Sequence, residues 1–247
     1  MDAEVDIAVC LRQWDYSETS QTAALLCRRL GLVRVLGKGT RRPDPRFSGG
    51  LEIGTLGEAV IVPRSSSGLA VLGGWDLRET FRASRTDLTG YYAAMFALEV
   101  ALNLLPEGEP HPAVFEALVA HLGRGALEPW ANATATYLWA VLSDTGYRPS
   151  LGELGPAGPL AFSSAQGSIL PAAEASRDGR AWAVLASTAE ALRRIEREGS
   201  AESLDPDQAE RAGRLLAWYV RELVERELLT LRPLFGETSP KPVSGHE

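Results

Sequence analysis

From Arg28 to Arg46 the chain places seven basic residues (Arg28, Arg29, Arg34, Lys38, Arg41, Arg42 and Arg46) against a single acid, Asp44. The local net charge is +6 in a chain whose total is −7. Guanidinium forks and ammonium groups meet phosphate oxygens, so the plainest chemistry for this inversion is polyanion binding without sequence preference. Glycines at 37, 39, 49 and 50 permit close backbone approach, and Pro43 and Pro45 stiffen the path. Phe47, inside the stretch, can stack on a base, an interaction worth roughly 1–3 kcal/mol. Arg64, in the polar turn that starts at Pro63, adds a further cation. The candidate binding residues are therefore Arg34, Lys38, Arg41, Arg42, Arg46, Phe47 and Arg64. The competing reading is a solvated, charged hairpin tip with no ligand. Trp14, Tyr16 and Trp75 also lie in this part of the chain, and Trp75 reads better as core than as a stacking surface.

Other chemistries find no support. Gly37-Lys-Gly-Thr40 lacks the glycine spacing, the Gly-Lys-Ser/Thr ending and the following helix of a phosphate-binding P-loop. Ser65, Ser66 and Ser67 have no histidine nearby, and no Gly-x-Ser-x-Gly elbow occurs. The three histidines, His111, His121 and His246, are scattered, and two cysteines, Cys10 and Cys27, make no zinc site by themselves. Both cysteines sit among apolar residues and read as buried thiols. No nucleophile–base pair or metal-ligand spacing is visible, so neither an enzyme nor a metal or other cofactor is expected.

The elements that must position the basic stretch read as strands. Val5 to Leu11 alternates with period two, and Thr22 to Leu30 and Leu32 to Leu36 are apolar runs separated by Gly31. Leu51 to Val62 is a fourth run, and Leu69 to Leu72 a fifth, which Trp75 to Leu77 completes across a bulge at Gly73-Gly74. Five short strands in about 80 residues suit a small barrel. From Phe81 the periodicity becomes helical. Ser84 is an N-cap candidate before an acid, Asp87, which itself reads as a cap and not as an acid catalyst, and a nearly all-apolar helix runs to Leu105. Pro112 opens a second helix ending near Gly123, and Pro129 precedes a third ending at Gly146. Residues 147–177 have loop composition with room for a small hairpin at Phe162–Leu170. Trp182 to Ile195 is amphipathic, and Asp205-Pro206 starts a last helix whose stripe runs through Leu228 and Leu231. The expected fold class is α+β: a five-stranded barrel over residues 1–80, a helical domain over 81–235 and a disordered tail over 236–247.

Composition agrees with a folded chain, with 45% hydrophobic and 23% charged residues. Residues 1–80 are neutral overall, with ten basic and ten acidic side chains, so the whole excess of −7 falls on the rest. Nucleic acid should therefore meet the N-terminal third, and the acidic helical part should face proteins. No apolar run reaches the roughly 18 residues that span a bilayer, and the acidic N-terminus is unlike a signal peptide. A cytoplasmic location, with no membrane partner, is expected.

Several motifs in order resemble the bacterial RecO family of recombinational DNA-repair proteins. Leu11-Arg-Gln-Trp-Asp-Tyr-Ser-Glu-Thr-Ser20 is similar to its first strand and turn, and Gly31-Leu-Val-Arg-Val-Leu-Gly-Lys-Gly-Thr-Arg-Arg42 to its basic element. Gly68 to Leu72 with Trp75-Asp-Leu77 resembles its last barrel strand, and Gly146-Tyr-Arg-Pro-Ser-Leu151 its Gly-Tyr-x-Pro-x-Leu motif. The resemblance implies an N-terminal OB-fold and a helical C-terminal domain. It implies binding of single- and double-stranded DNA, strand annealing, and help in loading recombinase, with the chain near the nucleoid. The implied partners are RecR and the acidic C-terminal tail of single-strand-binding protein. Lys38, Arg41 and Arg42 match the family's basic element by position.

One departure stands out. Many members of that family carry a four-cysteine zinc site after the Gly-Tyr-x-Pro-x-Leu motif. The matching positions here are Leu154, Ala157, Pro171 and Glu174, in a frame kept by Phe162-Ser163 and Gly167. This donor set cannot hold zinc, so residues 147–177 are expected to be a degenerate zinc lobe packed on Phe162, Ile169 and Leu170. The leading reading is a non-enzymatic DNA-binding and annealing mediator. The alternative is an OB-fold adaptor for RNA or protein with no role in DNA repair.

Overall fold

The computed structural model describes residues 2–43, 46–48, 50–63, 68–123, 129–152, 158–175, 181–236 and 241. The chain forms two compact units, Met1–Gly125 and Ala126–Glu247.

The N-terminal unit is built on six strands: β1 (Glu4–Asp15), β2 (Gln21–Cys27), β3 (Gly31–Gly37), β4 (Phe47–Ser48), β5 (Leu56–Val62) and β6 (Ala70–Glu79). β1 pairs antiparallel with β2 and β5, β2 with β3, and β5 with β6. The parallel pairing of β3 with β6, Val35–Gly37 against Ala70–Leu72, closes a five-stranded barrel. This is the OB architecture, with the two-residue β4 laid against β6 as an extra. The fourth long strand starts at Leu56 and not at Leu51, because Gly54 N–H turns back to donate to the Cys10 carbonyl at 2.8 Å. β6 runs through the glycine pair as one strand: Gly74 faces Val60 and Leu72 faces Ile61, leaving Gly73 as the bulged residue.

Alternate residues of these strands fill the barrel: Ala8, Cys10, Ala23, Leu25, Val35, Ala59, Ile61, Leu72 and Trp75. Gly57 makes room for the largest of them. A Cβ there would lie 2.4 Å from the Trp75 ring, so the indole occupies space that a side chain on β5 would need. β1 has a register shift between Cys10 and Arg12 that leaves Leu11 unpaired. The shift reverses the alternation. Ala8 and Cys10 point inward before it, whereas Arg12 and Trp14 after it point to solvent.

The β2–β3 turn is held by Asp6, whose buried carboxylate accepts from the backbone N–H groups of Ile7, Arg29 and Leu30 at 2.9, 2.8 and 3.0 Å. A short 3-10 turn, Arg82–Arg85, leads into α1 (Leu88–Leu104) and α2 (Pro112–Gly123). The cap of α1 is Asp87, which accepts from Gly90 N–H at 2.8 Å, and not Ser84. Ser84 instead donates its hydroxyl to the Phe81 carbonyl inside the 3-10 turn.

The second unit contains α3 (Trp130–Asp144), β7 (Leu160–Ser163), β8 (Ser168–Pro171), α4 (Ala172–Ala175), β9 (Ala181–Val184), α5 (Ala186–Glu198), α6 (Pro206–Val224) and α7 (Leu231–Phe235). Asn132 on α3 donates to the Ala201 and Leu204 carbonyls at 2.7 and 2.9 Å, tying α3 to the α5–α6 connection. The expected hairpin is present as β7–β8, and β9 joins β7 to make three strands. Trp182 is thus a strand residue, and the helix placed over Trp182–Ile195 begins only at Ala186. Its ring stacks on Phe162 at 5.7 Å, and Tyr219 meets Phe162 edge-on at 5.0 Å. The last long helix stops at Val224, where Glu225 takes a left-handed φ of 51°, so Leu228 lies outside it and Leu231 opens α7.

Pro171 ends β8 and Glu174 is exposed on α4, while Leu154, Ala157 and the tail beyond Lys241 lie outside the described residues. Pro171 offers no ligand and one exposed carboxylate cannot hold zinc, so these positions do not fit the metal. Among the described residues no group of three or more His, Cys, Asp or Glu is arranged to bind a metal ion.

Candidate nucleic-acid interface

One end of the barrel brings two loops together. Residues 16–20 join β1 to β2, and residues 38–46 follow β3. Arg41 N–H donates to the Thr19 carbonyl at 3.3 Å, and Gly39 N–H to the Ser20 hydroxyl at 3.4 Å. Beneath them Thr40 donates to Gln21 at 2.9 Å, and Gln21 donates to Gln13 at 2.7 Å. This partly buried polar chain fixes the loop that carries the cations. Gly39, with φ of 76°, makes the bend that follows Lys38.

The cations of the Arg28–Arg46 stretch divide sharply by partner. Arg28 pairs with Glu116 on α2 at 2.7 Å, and Arg29 with Asp6 at 3.5 Å. The Arg34 Nε donates to Glu107, which lies between α1 and α2, and Arg41 donates to Asp15 at the end of β1. Among the described residues, these four charges are thereby answered by carboxylates far away in sequence. Lys38 and Arg42 are exposed and have no acidic partner among the described residues. Arg46 is exposed, with its guanidinium carbon 6.0 Å from the Phe47 ring centroid and its carbonyl accepting from Trp75 N–H at 2.7 Å.

Phe47 corrects an expectation. It is 5% exposed and belongs to the barrel core, opposite Trp75 in the β4–β6 pairing, so neither ring face is available to a base. Trp75 is core as expected, at 1% exposure. Arg64 lies outside the described residues. Trp14 on β1 and Tyr16 beyond it are exposed, at 36% and 64%. The Arg12 and Arg34 guanidinium carbons lie 5.4 and 6.0 Å from the Trp14 ring centroid. Arg12 stands outside the basic stretch and carried no signal in the strand pattern, because its direction depends on the bulge at Leu11.

The β2–β3 face and the β1–β2 loop belong to the surface on which OB-folds take oligonucleotides. The thiols beneath it have no such use. Burial pushes the Cys10 thiol up to about 12, and raises Cys27 further with help from the Asp6 carboxylate.

The family model described as "Recombination protein O N terminal" matches residues 1–81, and "Recombination protein O C terminal" matches residues 85–232. The chain belongs to the RecO family. Among similar RecO-family proteins is the DNA repair protein RecO of Anaeromyxobacter dehalogenans strain 2CP-C, 31% identical over 250 residues, covering 97% of this chain and 98% of the relative. The DNA repair protein RecO of Myxococcus xanthus strain DK1622 is 28% identical over 235 residues, covering 92% and 95%. That of Geobacter metallireducens is 32% identical over 146 residues, covering 58% and 59%. The two RecO segments meet between residues 81 and 85, whereas the compact units divide between Gly125 and Ala126. In this RecO-family chain α1 and α2 therefore fold with the barrel although they fall in the C-terminal segment.

Proposed function

We propose that the protein is a non-enzymatic mediator of recombinational DNA repair that binds single- and double-stranded DNA through the barrel end described above. In this reading it anneals complementary strands and helps recombinase load onto single-stranded DNA, within the cytoplasm and close to the nucleoid. RecR and the C-terminal tail of single-strand-binding protein are its partners, met by the acidic helical part, whose residues 147–177 are a zinc lobe that has lost its metal.

The observation that carries the reading is the pair Lys38 and Arg42. They are exposed, without a carboxylate among the described residues, on a loop hydrogen-bonded to the β1–β2 turn of an OB barrel. Two strands repel through their phosphates, and cations held on a rigid loop lower that repulsion. Arg41 and Arg46 extend the same surface, and Arg34 and Arg64 are assigned to it as neighbours.

A salt-titrated binding and annealing assay, run with and without single-strand-binding protein, tests this. Affinity should fall steeply with salt, and annealing of naked and coated strands should be accelerated. Replacing Lys38, Arg41 and Arg42 together by alanine should reduce the salt slope by up to about three. Unchanged affinity and slope in the triple variant would overturn the assignment of the site. RNA that displaces single-stranded DNA completely from the wild type would favour an RNA adaptor instead.

A further inference from the structure

Trp14 lies on the outer side of β1 with 36% of its surface exposed, so part of its ring meets solvent. Trp14 is placed there by the bulge at Leu11. Across the barrel face, Arg12 is in register with Ala24 and Ala24 with Arg34, so one row reads arginine, alanine, arginine. The next row reads Trp14, Thr22 and Leu36. The central strand offers only small residues here, the fully buried Ala24 and the half-buried Thr22.

The two arginines differ. Glu107 holds Arg34 by its Nε, which fixes the plane of that guanidinium beside the ring. Arg12 has no carboxylate partner among the described residues and is 5.4 Å from the same ring. Its charge therefore remains available to an anion that arrives with whatever covers the indole. One residue further along β1, Asp15 holds Arg41 of the basic loop. The platform is thus continuous with the loop that carries Lys38 and Arg42. Tyr16, two residues beyond Trp14, extends the exposed aromatic surface into the β1–β2 turn.

An aromatic face flanked by cations fits a flat π-system that carries negative charge, which describes an unpaired nucleobase with its phosphate. In a duplex both faces of each base are already covered by neighbours. Resting on the proposed DNA-binding reading, we infer that Trp14, flanked by Arg12 and Arg34, is a base-stacking residue. It selects unpaired bases, so the N-terminal unit holds single strands more tightly than duplex. The phosphates run toward Lys38 and Arg42, which supply affinity to any strand, while Trp14 supplies the preference. The stacking is tolerant of sequence, since every base has a π-face.

The test uses the full chain and three probes of equal length: oligo(dT), an abasic deoxyribose-phosphate oligomer, and a duplex. Trp14→Ala should weaken oligo(dT) binding about tenfold, within the range for one stacked base. Abasic and duplex binding should stay within about twofold, and the salt slope should not change. Trp14→Phe should restore most of the lost affinity, and retained abasic binding shows that the variant is folded. The Lys38→Ala/Arg42→Ala variant should weaken all three probes together. Unchanged oligo(dT) binding by Trp14→Ala overturns the stacking role and leaves DNA binding standing, as does an equal loss on all three probes. A wild type that binds none of the probes overturns the DNA-binding reading and this inference with it.

Discussion

The Glu107 carboxylate accepts a hydrogen bond from the Nε of Arg34, a residue 73 positions earlier in the chain. The contact is anchored by the backbone, since Gly108 N–H donates to the Leu32 carbonyl at 2.9 Å and Glu107 bridges to Leu32. An acid is thus held against the barrel face at a point where a phosphate would compete for the same arginine. Both side chains are about half exposed, so the pair adds little to stability, under about 1 kcal/mol. Glu107→Gln should therefore leave the unfolding midpoint almost unchanged. It should tighten binding to DNA and steepen the salt slope by up to about one. Unfolding curves and salt-titrated anisotropy check the two halves of this expectation.

The loop cations should not be equivalent. Lys38→Ala and Arg42→Ala should each lower the salt slope by about one and weaken all sequences alike. Arg41→Ala should do less than either, because Asp15 already neutralises part of that charge. Asp15→Asn should act in the opposite direction, strengthening binding. Single-variant titrations on one oligonucleotide give the ranking.

Two glycines with positive φ should respond very differently to a methyl group. Gly31 has φ of 71°, and a Cβ there would lie 2.0 Å from the Glu109 carbonyl oxygen, a backbone atom that cannot swing away. Gly31→Ala should cost more than about 3 kcal/mol or prevent the barrel from folding. Gly39 has φ of 76°, but the nearest atom to its Cβ is the Arg42 Cδ at 3.8 Å. Gly39→Ala should cost only the left-handed backbone penalty, about 1–2 kcal/mol. Urea denaturation followed by tryptophan fluorescence separates the two.

The buried thiols make the barrel sensitive to alkali. Burial raises the Cys10 thiol to about 12 and lifts Cys27 as well. Above the ordinary thiol range, near pH 8.5, the unfolded chain loses these protons while the folded chain keeps them. Stability is therefore fully present below that pH and falls as pH rises toward the folded values. The limit is about 1.4 kcal/mol per pH unit for each thiol. Urea midpoints between pH 8 and 10, under reducing conditions, should decline, and Cys10→Ala/Cys27→Ala should flatten the decline.

Much of this architecture was legible because it is written locally. Alternation along Val5–Leu11, glycine at 31 and the apolar runs beside it identify barrel strands from their own residues. Pro112 and Pro206 start their helices and Gly123 ends one for reasons contained within a turn of chain. The errors came where a neighbour in space overruled the local pattern. Trp182 follows a helical stripe in sequence, yet pairing with Phe162 draws it into a strand. Phe47 lies in a polar, basic loop, yet the barrel gives its ring a buried place beside Trp75.

The same distinction runs through the binding surface. The order of strands, the RecO-family motifs and the concentration of seven basic residues between Arg28 and Arg46 are properties of the sequence alone. Which of those charges are answered by carboxylates was decided by folding, because the acids that pair with Arg28, Arg34 and Arg41 come from α2, the α1–α2 link and the far end of β1. Folding also chose the aromatics. A single bulged residue, Leu11, turns Trp14 outward, and the gap at Gly57 takes Trp75 in. Charge and periodicity are summed along the chain, whereas neutralisation and burial depend on distances that exist only once the barrel has closed.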